Sequence, residues 1–219
     1  MDIFDIKTWY NYEIPNEWKN ELKTHSGLIS EEKGFWRAFK SAHKINFDDL
    51  KELLRVKQFS LNTPVDTIEP ISKFSELEIF ISSNFNHAYK EIKFLQKCRK
   101  LERLTIRDNR NIIDWEFLNT MANLKVLKLV GTNFRDLKNI ENIKYLEHLE
   151  LNNLKNEDYS ILSKLTNLCS ISLNSCDVRD LSFVYSLSNI FSLNIEYTMV
   201  DNDQILKLKS KMPNIEIKY

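Results

Sequence analysis

Five evenly spaced positions hold the most suggestive chemistry in the chain: Asp114, Asp136, Asp158, Asp180 and Asn202. A column of carboxylates is what a calcium site would draw on. Calcium takes about six to eight oxygen ligands, usually several from one short loop, and these loops offer about one Asp each. A lone carboxylate suits a different task. It accepts backbone N–H groups where a helical turn begins and complements the turn's positive end. The column is therefore read as a set of caps.

The other reactive side chains form no catalytic set. His25, His43, His87 and His148 are far apart and lack HExxH or any paired metal spacing. His148 precedes Glu150 by two positions and reads as a binding-face residue rather than a general base. Cys98, Cys169 and Cys176 are odd in number and lack CxxC spacing, which fits reduced thiols better than a disulfide framework or structural zinc. No GxSxG elbow is present. Only three glycines occur, Gly27, Gly34 and Gly131, which excludes most glycine-based phosphate loops. The expectation is a protein that is no enzyme and uses neither metal nor cofactor.

What positions the Asp column is a repeat. Apolar triplets of L-x-x-L-x-L spacing recur as Leu101/Leu104/Ile106, Leu124/Leu127/Leu129, Leu146/Leu149/Leu151, Leu168/Ile171/Leu173, Ile190/Leu193/Ile195 and Met212/Ile215/Ile217. After a first step that is longer by one position, the remaining steps are all equal and match the spacing of the Asp column. Three positions beyond each triplet stand Asn109, Thr132, Leu154, Cys176 and Thr198. Four positions after each member of the Asp column stand Leu118, Ile140, Leu162, Val184 and Leu206. Each unit holds a short strand and a return segment, neither of which buries its apolar face alone, so the units stack as a solenoid with a parallel sheet.

On these residues the chain resembles the leucine-rich repeat family, in the 22-residue class of bacterial internalins and a phosphatase-1 regulatory subunit. Asn109 and Cys176 stand where that family places Asn or Cys in a turn, and Thr132 and Thr198 are tolerable substitutes. Leu154 departs from the pattern, which predicts an irregular turn after Leu151. The resemblance implies an α/β solenoid, a horseshoe with a parallel concave sheet, and covers residues 99–219 clearly.

Upstream, residues 56–98 read as degenerate repeats. Val56/Phe59/Leu61 and Phe74/Leu77/Ile79 fit the triplet but break the period, and a competing register, Leu77/Phe80/Ser82, stays open. Residues 84–98 read as an inserted helix with Ala88, Ile92, Leu95 and Cys98 on one face. Residues 1–55 lack the period and hold Trp9, Trp18 and Trp36. Ser30-Glu31-Glu32-Lys33 followed by Phe35, Trp36 and Phe39 reads as a capped helix, and Asp48 to Arg55 as another. This segment is read as a helical, aromatic-rich N-terminal cap over the open end of the core. At the other end, the final strand is read as either protected from edge pairing by Asn214, Glu216 and Lys218 or available for a homodimer through edge pairing.

The function expected is recognition of a protein partner through the outward face of the sheet. That face takes Arg103, Thr105 and Arg107, then Val126, Lys128 and Val130, then His148, Glu150 and Asn152. It continues with Ser170, Ser172 and Asn174, then Ser192, Asn194 and Glu196, and ends with Asn214, Glu216 and Lys218. One end reads as basic, at Arg103, Arg107 and Lys128, and the other as acidic, at Glu150, Glu196 and Glu216. Matched potentials would steer a partner of complementary polarity. With 31 basic and 31 acidic residues the formal charge is zero, so a general nucleic-acid role is not expected. No apolar run is long enough to span a membrane, and the Met1 to Lys7 segment does not read as a secretory signal. Together with the thiols this points to the cytoplasm. Frequent Asn and Ile with only four Ala points to AT-rich coding and a bacterium. Such a protein would inhibit or regulate its partner, neutralisation of a toxin being one version. The competing reading is a secreted, internalin-like adhesin or effector.

Overall fold

The computed structural model describes residues 3–23, 47–83, 88–155 and 158–219. Among these residues eight short strands form one parallel sheet in chain order: β1 (Gln58–Leu61), β2 (Ile79–Ser83), β3 (Arg103–Arg107), β4 (Val126–Val130), β5 (His148–Glu150), β6 (Ser170–Ser172), β7 (Ser192–Asn194) and β8 (Glu216–Lys218). Parallel neighbours need a return segment between them. Between β1 and β7 each return carries one 3-10 turn, from Glu69–Lys73 to Ser182–Ser186. Alternate strand residues enter a single apolar core that runs the length of the stack. This is a solenoid, an α/β horseshoe with its sheet on the concave side.

The Asp column does cap these returns. The carboxylates of Asp114, Asp136, Asp158 and Asp180 accept the N–H two positions on at 2.8, 2.9, 2.9 and 3.1 Å. Leu118, Ile140, Leu162 and Val184 then point into the core at full burial. The last return breaks the column. It is an α-helix, α4 (Asn202–Lys211), capped by Asp201 through the Gln204 N–H at 2.8 Å. An α-turn advances about 100° per residue against about 120° for a 3-10 turn, so Ile205 and Leu208 are buried while Leu206 is 65% exposed. The longer helix also lengthens the step between strands, pairing Leu193 with Ile217 rather than with Ile215.

Each strand from β3 to β7 exits through the same backbone turn. Asp108, Gly131, Asn153, Ser175 and Tyr197 all take φ between 57° and 62°. Asn153 matches its neighbours, so the turn beside Leu154 is regular; Leu154 is buried there and fills the position with an aliphatic chain. Asn109 is also buried and bonds both ways, donating to the Tyr89 carbonyl at 3.2 Å and accepting the Asn111 N–H at 2.9 Å.

The open register upstream resolves to Leu77/Phe80/Ser82. Phe80 pairs with Leu104 and Ser82 with Ile106, while Phe59 pairs with Phe80, so the step is long on one side of β2 and short on the other. Ser82 occupies an apolar position because its hydroxyl is satisfied there, 2.8 Å from the buried Tyr89 hydroxyl. Ile79 consequently faces outward. The helix expected over 84–98 does not form in its described part: residues 88–92 are irregular, Lys93–Lys97 is a 3-10 turn in phase with the others, and Ala88 is exposed.

Ahead of β1 lie α1 (Ile3–Thr8), a π-helical turn at Trp9–Glu13, α2 (residues 16–23) and α3 (Phe47–Leu53). Trp18 is fully buried, stacks on Phe59 at 6.0 Å and donates its indole N–H to the Thr67 carbonyl at 2.6 Å. Glu21, 2% exposed, accepts the Asn62 N–H at 3.3 Å and the Thr63 hydroxyl at 2.5 Å. These contacts seat the helices on the first repeat. The capped helix expected from Ser30, with Trp36, lies outside the described residues.

Candidate functional site

Sheet register sorts the concave face into rows. The first runs Gln58, Ile79, Arg103, Val126, His148, Ser170, Ser192, Glu216, and the second Ser60, Ile81, Thr105, Lys128, Glu150, Ser172, Asn194, Lys218. A third pairs Ser83, Arg107 and Val130, and Asn152, Asn174 and Glu196 follow their strands at the same offset. The outward residues expected from β3 to β7 thus occupy the face. In the last repeat the lengthened step leaves Asn214 ahead of β8, outside the paired rows. Ile79 and Ile81, both half-buried, join the face; the other register would place Ile79 in the core. The signal pointing to them is Phe80, an apolar residue out of phase with Ile79 in a run that alternates either way.

The face is not a smooth gradient from basic to acidic. Glu150 sits among the cations: its carboxylate meets Lys128 Nζ at 3.0 Å and Arg107 Nη2 at 3.6 Å. The cause is register, which places Glu150 directly beside Lys128 on the adjacent strand. Asn152 donates to Glu150 at 2.9 Å and accepts from the Ser172 hydroxyl at 2.7 Å and the Asn174 N–H at 3.1 Å. Ser175 in turn donates to Asn174 at 2.7 Å. Partly exposed ion pairs of this kind contribute about 0–1 kcal/mol each. With these hydrogen bonds their main effect is to hold side chains from β3 to β6 in fixed orientations.

Thr105 and Val126 are nearly covered by their neighbours, at 6% and 8% exposure, and form the floor. His148 is half-buried between Val126 and Ser170. Ser170, Ser172, Ser192 and Asn194 leave β6 and β7 lined with small polar groups.

Other reactive groups lie away from this face. Burial pushes the Cys98 thiol up to about 12 and raises that of Cys176, so both are neutral and unreactive at neutral pH. Cys98 is directed at the Ile71 carbonyl, 3.4 Å away, and Cys176 at that of Leu151. Cys169 is half-exposed. Two grooves of about 560 and 580 Å³ are lined by return-segment residues, among them Met121 and Tyr159, and by none of the face rows. Among the described residues no three His, Cys, Asp or Glu side chains are grouped to hold a metal ion, and no helix is long and apolar enough to cross a membrane.

Stacked strands, capped returns and a repeated left-handed exit turn define a leucine-rich repeat fold. Among solved structures it is similar to bacterial internalins and other proteins of this fold. An internalin (inlF) of Listeria monocytogenes superposes with a TM-score of 0.65 at 19% identity, over 78% of this chain and 49% of that one. An internalin C2 of the same organism gives 0.63 at 18%, over 91% and 90%. A leucine-rich repeat protein of Leptospira interrogans gives 0.57 at 17%, over 78% and 50%. The chain thus spans about half the length of the first and third and most of the second. At these identities the likeness is one of fold. No protein-family model matches the sequence, and none of the curated proteins does so.

Proposed function

We propose that the chain is a non-catalytic protein-binding module whose partner lies along the concave face, in contact with residues drawn from Arg103, Thr105, Arg107, Val126, Lys128, Val130, His148, Glu150, Asn152, Ser170, Ser172, Asn174, Ser192, Asn194 and Glu196. The observation that carries this reading is the Arg107–Glu150–Lys128 cluster and its continuation through Asn152 to Ser172 and Asn174. It holds a broad polar surface in one arrangement before any partner arrives. Extended concave surfaces of solenoids suit macromolecules rather than small substrates. In this reading the protein acts in a bacterial cytoplasm and inhibits or regulates an enzyme or toxin by covering it.

The test is affinity capture from a lysate of the source organism at moderate salt, with wild type beside Glu150→Lys. A stoichiometric partner retained by wild type and lost from the variant supports the reading; a partner retained equally by both moves the site off this face. The internalin-like folds favour a second reading, a secreted adhesin or effector. Fractionation of the native protein separates the two, because the cytoplasmic reading fails if the protein is recovered outside the cell.

A further inference from the structure

Resting on that concave-face reading and narrowing it, we propose that β2–β4 form the docking surface for an acidic protein segment whose carboxylate is flanked by apolar side chains, with Arg103 as the anchoring cation. Arg103 is exposed and stands in the first row between Ile79 and Val126. Ile81 and Val130 extend the apolar flanks into the second and third rows.

The positive charge of this region is only partly compensated. Among the described residues Arg103 has no ion-pair partner; its neighbour Glu102 is taken by Lys125 at 3.0 Å. Among the described residues Arg107 and Lys128 share one carboxylate, Glu150. Three cations therefore face one carboxylate. The remaining acids of the face, Glu196 and Glu216, lie beyond β7 and on β8. Four and five strand spacings of about 4.8 Å put them roughly 19 and 24 Å from Arg103 across the sheet, past the Debye length of about 8 Å at physiological salt. They do not cancel the positive field at β3.

The chemistry of the neighbours selects the partner. Ile79 and Ile81 exclude water beside the guanidinium once covered, over the floor that Val126 forms, Val130 extends the apolar area to the third row, and a carboxylate–guanidinium pair strengthens as water leaves. The planar fork of Arg matches a carboxylate bidentately. A nucleic-acid strand would supply the anion but not the aliphatic groups that these four side chains call for. In the first two rows of β6 and β7 the corresponding positions are Ser and Asn, which offer neither charge nor apolar area.

The probe is a display library of random short peptides, selected on the whole chain at about 0.15 M salt. Recovered peptides are then measured against Arg103→Glu, Ile81→Ser and, on the far half, Asn194→Arg, each checked for folding by circular dichroism. The expected result is enrichment of Asp or Glu between apolar residues, affinity lowered at least about tenfold by Arg103→Glu, lowered by Ile81→Ser, and unchanged by Asn194→Arg. Peptides without acids, failure to select any peptide, peptides indifferent to Arg103→Glu, or their displacement by oligouridine would each overturn the proposal. Peptides lost only from Asn194→Arg would sink it while leaving the concave-face reading intact. Peptides indifferent to all three variants would remove both.

Discussion

The middle of the solenoid and its N-terminal end share one backbone and fill it differently. From β4 to β7 the strands recur at a constant step and the inward positions are aliphatic. At β1–β3 the step varies, and the inward positions include Phe59, Phe80 and Ser82. Sheet pairing is unbroken across both. The difference teaches that the strand ladder tolerates returns of varied length, because only the strand and its inward pair must stay in phase. Larger aromatic side chains fill the end, where Trp18 packs on Phe59 and Phe59 meets Phe74 edge to face at 4.8 Å. At the end, aromatic rings stand among the aliphatic side chains at the strand positions of the core, whereas the inward strand positions of the middle are aliphatic throughout.

Removing one large side chain should therefore separate the regions. Trp18→Ala leaves a cavity under Phe59 and strips the Thr67 carbonyl of its donor; a cost of about 3–5 kcal/mol is expected. Guanidinium unfolding followed by circular dichroism should show an early phase for the end, with the middle melting near its wild-type midpoint. A single transition shifted as a whole would mean that the end and the middle fold as one unit. Leu149→Ala, in the centre of the regular stack, should cost about 2–5 kcal/mol. Each repeat there couples to two neighbours, so the loss is expected in one cooperative transition rather than in a separate phase.

The exit turns sharpen the comparison at smaller scale. A Cβ at Gly131 would lie 2.6 Å from Asp108 Oδ1, in a backbone with φ of 62°. Gly131→Ala should cost about 1–2 kcal/mol, the penalty for a left-handed non-glycine residue. Asn153→Gly, at φ of 58° in the next turn, should be near neutral because it relieves that conformation while adding unfolded-state freedom. Midpoints of urea unfolding for the two variants check this; equal losses would mean that the turns are held by side-chain contacts and not by backbone preference.

How far the molecule could be read from its residues follows from the same contrast. The solenoid, the strands from β3 to β7, the Asp caps and the outward rows were legible because several side-chain types kept one period. The β2 register was not, since Ile79-Phe80-Ile81-Ser82 alternates acceptably in either phase and only the Ser82–Tyr89 hydroxyl contact makes the polar choice tolerable. Leu206 departs for a related reason: an α-helix replaces the 3-10 turn and rotates its apolar stripe. On the face, position was legible but pairing was not. That Glu150 joins Arg107 and Lys128 depends on which strands are neighbours, a fact one strand's residues do not carry.

The smallest expected effect tests whether the α-helical return behaves like the 3-10 returns. Hydrogen bonds from the Ser160 hydroxyl and N–H hold the Asp158 carboxyl below its ordinary range, and those from Gln204 do the same for Asp201. A carboxyl with a lowered folded pKa adds stability above its unfolded value and loses it as pH falls through the folded value. Both caps should thus weaken on the acid side of the ordinary carboxylate range. Asp201→Asn keeps an acceptor for the Gln204 N–H but does not titrate. The gap in urea midpoint between wild type and this variant should be small, constant at neutral pH, and should close as pH drops below that range. Asp158→Asn should follow the same course. If only the Asp158 gap closes, the two kinds of return are capped by different physics, and α4 is held by packing at Ile205 and Leu208 rather than by its first turn.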